Sequence, residues 1–85
     1  MFLSFVQTEL FSELWTKRYG LNDDELTELE GLLSRNVLAG RVIRGGGGIR
    51  KLRFSPSGSG RGKSGGFRVV YSVVGGRLVL VLLME

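Results

Sequence analysis

Eighty-five residues with no cysteine and no histidine make one small domain that has neither a disulfide framework nor a nitrogen or sulfur ligand for zinc or iron. Twelve basic against eight acidic groups give a net charge of +4, but the distribution is uneven. Residues 1–30 hold two basic and seven acidic groups, net −5, while residues 31–85 hold ten basic groups against Glu85 alone, net +9. An acidic first third joined to a basic remainder implies a two-sided molecule with one face suited to a polyanion. The alternative is an ordinary solubilising surface charge. The longest apolar run, residues 78–84, is far short of the roughly 20 residues that span a bilayer. The first ten residues lack a basic leader and a cleavage site, so a cytoplasmic protein with no membrane partner is expected.

Phe2-Leu3-Ser4-Phe5-Val6 reads as a first strand. Thr8 is positioned to cap a helix over residues 9–19, in which Leu10, Phe11, Leu14 and Trp15 recur at helical spacing. Gly20 stands where a left-handed C-terminal residue belongs. Asn22 followed by Asp23, Asp24 and Glu25 makes a capping box for a second helix ending near Arg35-Asn36, with Leu26, Leu29, Leu32 and Leu33 as its buried stripe. Trp15 is expected in the core rather than as a base-stacking platform.

After Gly40 the chain turns to β character. Arg41-Val42-Ile43-Arg44 is a short extended piece, and the glycines at 45–48 supply freedom or close backbone approach before residues 49–55 resume a strand. Residues 66–74 alternate, with Phe67, Val69, Tyr71 and Val73 on one face and Arg68, Val70, Ser72 and Val74 on the other. Gly75-Gly76 suits a two-residue hairpin turn. Residues 78–84 are continuously apolar and predict an interior strand covered on both faces. The expected fold is α+β, in the order β-α-α-β-β-β, a small, mainly antiparallel sheet with two helices on one face and the other face left to Lys and Arg.

The segment 57–65 contains Gly62-Lys63-Ser64, but an ATPase phosphate loop requires glycine at position 57, where Ser57 stands, and a following helix rather than a strand. Nucleotide hydrolysis is therefore set aside, and a hairpin loop accounts for the glycines and serines. In Arg50-Lys51-Leu52-Arg53-Phe54, Lys51 and Arg53 point to one side and Leu52 and Phe54 to the other. An antiparallel neighbour could bring Arg68 beside them. Like charges directly opposed across a sheet cost about 0.2–1 kcal/mol, so a bound anion relieves such a cluster. Three independently solvated side chains are the competing reading.

The residues Gly20-Leu21-Asn22-Asp23-Asp24-Glu25-Leu26, Gly47-Gly48-Ile49-Arg50-Lys51-Leu52-Arg53-Phe54 and Gly60-Arg61-Gly62-Lys63-Ser64-Gly65-Gly66-Phe67-Arg68-Val69-Val70-Tyr71 resemble the RelE/HigB-like toxins of bacterial toxin–antitoxin modules. The resemblance runs over nearly the whole chain. It implies a ribosome-dependent endoribonuclease that cuts mRNA without metal or other cofactor and is neutralised by a cognate antitoxin. On that basis Arg68, Lys51 and Arg53 are the candidate catalytic residues, and Arg50, Arg61 and Lys63 are candidate RNA contacts. Because arginine stays protonated, Lys51 is the better proton-transfer group of the set.

Two departures from the family accompany the resemblance. Val37 follows Asn36 where relatives often carry proline, and relatives continue past the last strand with a tail containing Tyr and Lys, where this chain has Met84-Glu85. Loss of one positioned group commonly costs about 10²–10³ in rate, so a weak or inactive toxin, or a basic RNA-binding module that still binds its antitoxin, is the alternative expectation. A DNA-binding domain ranks below both, since both helices fall in the acidic third.

Overall fold

The computed structural model describes residues 4–57 and 66–85. Strand β1 (Ser4–Gln7) leads into α1 (Glu9–Glu13), which continues as a π-helical turn (Leu14–Arg18), and α2 (Asp23–Arg35) follows. The chain then forms β2 (Arg41–Val42), β3 (Arg50–Phe54), β4 (Phe67–Val74) and β5 (Arg77–Met84). The strands make one sheet in the order β1-β5-β4-β3-β2, antiparallel except for the parallel pair β1 and β5. This is the expected α+β arrangement, with the extended piece after Gly40 present as the short edge strand β2. Among the described residues no helix is long and apolar enough to cross a membrane.

The helices form where their caps and apolar spacing dictate. The Thr8 hydroxyl accepts from the Phe11 amide at 3.1 Å and donates to the Val81 carbonyl at 2.8 Å, so the residue that starts α1 also fastens β1 to β5. Phe11 and Trp15, one turn apart, stack at 5.6 Å and are buried. The expected single α-helix over residues 9–19 is corrected in its second half, where the Tyr19 amide returns to the Leu14 carbonyl. An i→i+5 bond sets Tyr19 above Leu14, and from there Tyr19 packs edge-on against Phe67 at 5.1 Å. Leu10 does not join the stripe. It lies half exposed in the first turn, beside the buried Phe11.

Gly20, with φ +63°, reverses the chain as expected, and the Trp15 indole donates to the Asn22 carbonyl at 3.1 Å. The Asn22–Glu25 capping box forms in both directions, at 2.8 and 2.9 Å. It accounts for the one buried carboxylate among the described residues, Glu25.

One core joins helices and sheet: Phe11, Trp15, Leu21, Leu29 and Leu33 meet Phe54, Phe67, Val69, Tyr71, Leu78, Leu80 and Leu83. Each fully buried large apolar side chain contributes about 1.5–3 kcal/mol. In β5 the buried residues are Leu78, Leu80 and Leu83, a spacing of two and then three. Strict alternation would turn Leu83 outward. The register resolves this by pairing Val70 with Leu82 and Tyr71 with Leu80, so that Val81 is an extra residue, a bulge that returns Leu83 to the core face.

The expectation that β5 is covered on both faces is corrected here. It is interior in the sheet, flanked by β1 and β4, but only its helix-facing side is fully buried. Val79, Leu82 and Met84 on the other side are half buried. The reason is that both helices pack on one side, leaving the opposite face of the sheet open.

Candidate functional site: a basic sheet face

On the open face the alternation of β3 directs Lys51 and Arg53 outward, while Leu52 packs against the core and Phe54 lies in it. Arg68 leaves β4 on the same side and stands directly opposite Arg53 in the antiparallel register. Arg41 of β2 stands opposite Lys51. Two rungs of paired cations thus lie two residues apart, around an open depression of about 530 Å³ lined by Ala39, Arg41, Lys51, Leu52, Arg53 and Arg68. All four cations are exposed.

Several local devices hold this arrangement. Gly66 enters β4 at φ +68°, and a Cβ there would run into the Ser55 hydroxyl and the Phe54 carbonyl oxygen, so only glycine lets the chain rejoin β3 in this register. The Arg68 guanidinium donates to the main-chain oxygen of Glu85 at 3.3 Å, which ties it toward the end of β5. At the other end of α2's side of the sheet, the Glu28 carboxylate accepts from the Ser57 amide and hydroxyl at 3.1 Å, anchoring the segment that follows β3.

Tyr71 belongs to the core, as a strand tyrosine is expected to. It is fully buried, donates to the Val37 carbonyl at 2.8 Å and accepts from the Gly40 amide at 2.9 Å. Both groups lie in the α2–β2 connection, so one hydroxyl satisfies two backbone groups at once, the buried Gly40 amide and the half-buried Val37 carbonyl.

Of the residues singled out in the sequence, Lys51, Arg53 and Arg68 are brought together. Arg50 is not among them. It lies on the opposite side of β3, where its guanidinium donates to the Gly40 carbonyl at 2.7 Å and to that of Leu38 at 3.5 Å. Arg61 and Lys63 fall outside the described residues. Arg41 was not singled out in the sequence, yet it completes the face. Its signal was present: a hairpin closed by the glycines at 45–48 pairs residue 42 with 50 and 41 with 51.

The charges separate by layer. Apart from Glu85, every acidic residue of the chain lies between residues 9 and 30, in the helical layer on the far side of the sheet. Within that layer burial raises the Glu30 carboxyl above its ordinary value. The cations therefore stand opposite one another with the acidic layer behind the sheet, and the face favours a ligand that brings its own negative charge. No protein-family model matches the chain.

The four cations of the depression cluster at one end of the open face. Toward β1 that face is mostly apolar, with Val6, Val74, Val79, Leu82 and Met84 beside the buried Val70, and the exposed Arg77 of β5 stands opposite Val74.

Proposed function

We propose that this chain is an RNA-cleaving protein of the RelE/HigB-like toxin kind, acting on mRNA at the ribosome and held in check by an antitoxin. The observation that carries the reading is the Arg53–Arg68 pair, two arginines directly opposed in the β3–β4 register with Lys51 and Arg41 on the adjoining rung. Cleavage of RNA by its own 2′-hydroxyl requires no metal. The 2′-oxygen attacks the neighbouring phosphorus, the 5′-oxygen leaves, and a cyclic phosphate and a free 5′-hydroxyl result.

What the protein must supply is in-line geometry and cations where charge builds up on the phosphoryl oxygens. Arg53 and Arg68 fill that role, each able to offer a planar pair of N–H donors. Lys51 protonates the departing 5′-oxygen, a task closed to arginine, and the 2′-hydroxyl proton passes to water.

The need for a ribosome fits the same face. Every described aromatic ring lies in the core or packs against it, so none of the described rings is left to stack on a base. Phosphate contacts fix position and carry no sequence information, so selection of the cut site falls to the particle that presents the strand.

The test is mRNA cleavage on translating ribosomes, with growth arrest on induction as the cellular readout, for the parent chain and for Arg68→Ala. The parent cuts, and the variant loses about 10²–10³ in rate while remaining folded. Equal rates in the two would remove Arg68 from the chemistry. A parent that binds RNA without cutting it would make the face a binding module and sink the enzymatic reading.

A further inference from the structure

The basic face is longer than one phosphate. Its cations form two rungs, Arg53 with Arg68 and Arg41 with Lys51, two residues apart along β3. Opposed Cα atoms in an antiparallel pair are about 4.5–5.5 Å apart, a width that lets two long cationic side chains bracket one tetrahedral anion. Arg41 lies two strands over and two residues along from Arg68, about 12 Å away at the Cα level with ordinary sheet spacing. That distance matches neighbouring anions better than a single one, and the step of two β residues is of the order of the step between successive phosphates in an extended strand.

Arg41 is also held in place. The Gly40 amide donates to the buried Tyr71 hydroxyl at 2.9 Å, and the Gly40 carbonyl accepts from Arg50 at 2.7 Å. Both polar groups of the preceding residue are therefore anchored to β4 and β3. A Cβ at position 40 would come within 2.8 Å of the Tyr71 ring, so the approach is as close as glycine allows. Short, two-residue β2 would otherwise be free to fray, and Arg41 with it.

We infer that Arg41 is a binding residue for a second phosphate, adjacent to the one between Arg53 and Arg68, so that the ligand of this face is a single strand presenting at least two consecutive phosphodiesters. Tyr71 is the positioning residue for Arg41, acting through Gly40. The inference rests on the RNA-phosphate reading of the face and extends it from a point to a track.

The probe is a short single-stranded 2′-O-methyl oligoribonucleotide, which has no 2′-hydroxyl and cannot be cut. Its binding is measured against salt for the parent, Arg41→Ala, Arg68→Ala and the double variant, with Lys17→Ala on the helical layer as a control. Each phosphate contact on a single strand contributes about 0.7 to the slope of log K against log salt. Each single variant is expected to weaken binding about tenfold and to lower the slope by about 0.7, and the double variant by about 1.4 with losses that multiply. Tyr71→Phe is expected to reproduce the Arg41→Ala loss and to add nothing to it in combination.

Outcomes separate the two levels of the argument. A double variant no weaker than the worse single one means that both arginines hold one phosphate, which overturns the inference alone. Parent-like binding by Arg41→Ala while Arg68→Ala is weakened does the same. Tyr71→Phe that binds like the parent removes its positioning role. Failure of the parent to bind, or of Arg68→Ala to weaken binding, overturns the reading on which the inference stands.

Discussion

Arg50 and Arg53 sit three residues apart on one strand and have opposite fates. Arg50 faces the α2–β2 connection and spends its donors on the carbonyls of Leu38 and Gly40, whereas Arg53 faces out, opposed to Arg68 and lining the basic depression. The same contrast divides the whole sheet. On its helix-facing side no buried side-chain polar atom among the described residues lacks a partner, and the large side chains meet in one core. On the open side four cations stand exposed around a shared depression. Residues of the first kind are arranged for folding, and those of the second oppose it slightly, a cost that a bound anion would relieve.

The contrast can be broken most severely from the core side. Trp15→Ala removes a stacking partner of Phe11 and Phe54 together with the indole bond to Asn22, and is expected to cost about 3–5 kcal/mol in urea unfolding. A loss below about 1 kcal/mol would show that the core is not organised around this ring. Gly40→Ala should follow, since its new Cβ meets the Tyr71 ring at 2.8 Å and the Lys51 carbonyl oxygen at 3.0 Å. Overpacking of that kind costs about 1–3 kcal/mol. Its thermal midpoint should fall, and RNA binding should fall with it because Arg41 is displaced.

The open side should respond with the opposite sign. Arg53→Ala relieves the charge opposed to Arg68 and is expected to raise stability by about 0.2–1 kcal/mol while weakening RNA binding. Loss of stability in this variant would mean that the pair is not repulsive and would remove one argument for a bound anion.

The smallest effect is expected at Glu30, whose carboxyl is raised by burial. A carboxyl with a raised folded value binds its proton more tightly in the native state, so its favourable contribution is present below the unfolded carboxylate range, about 4.3, and is lost as pH rises through the folded value. Glu30→Gln should therefore raise the urea midpoint at neutral pH, with the gain shrinking in acid. A gain that grew on acidification would reverse the assignment.

Much of this fold is written locally. Thr8, Gly20 and the Asn22–Glu25 box mark helix ends by chemistry that acts within a few residues, and Gly75-Gly76, with φ +55° and +80°, closes its hairpin in the same way. The alternation in β3 and β4 places Lys51, Arg53 and Arg68 on one face without knowledge of the rest. What escaped the sequence depends on partners far along the chain. The π-helical turn is set by the demand of Tyr19 for Phe67, and the bulge at Val81 by the need to return Leu83 to the core. The diversion of Arg50 depends on a connection whose course is fixed by Tyr71. Arg41 was within reach, but only through the register of a hairpin whose glycine-rich loop does not announce its own length.

The pairing of β1 with β5 has a consequence in time. Thr8 bonds to Val81 across 73 positions of sequence, and β1 is the strand that covers that edge of β5. During synthesis β1 emerges long before β5, and until β5 follows, β1 lacks the strand it pairs with. Long-range pairing of this sort slows folding. It also leaves the apolar edge of β5 open until the first strand arrives, and in that interval the edge can template pairing with another chain. The interval between the synthesis of β1 and the arrival of β5 sets the window in which this sheet edge is most exposed to aggregation.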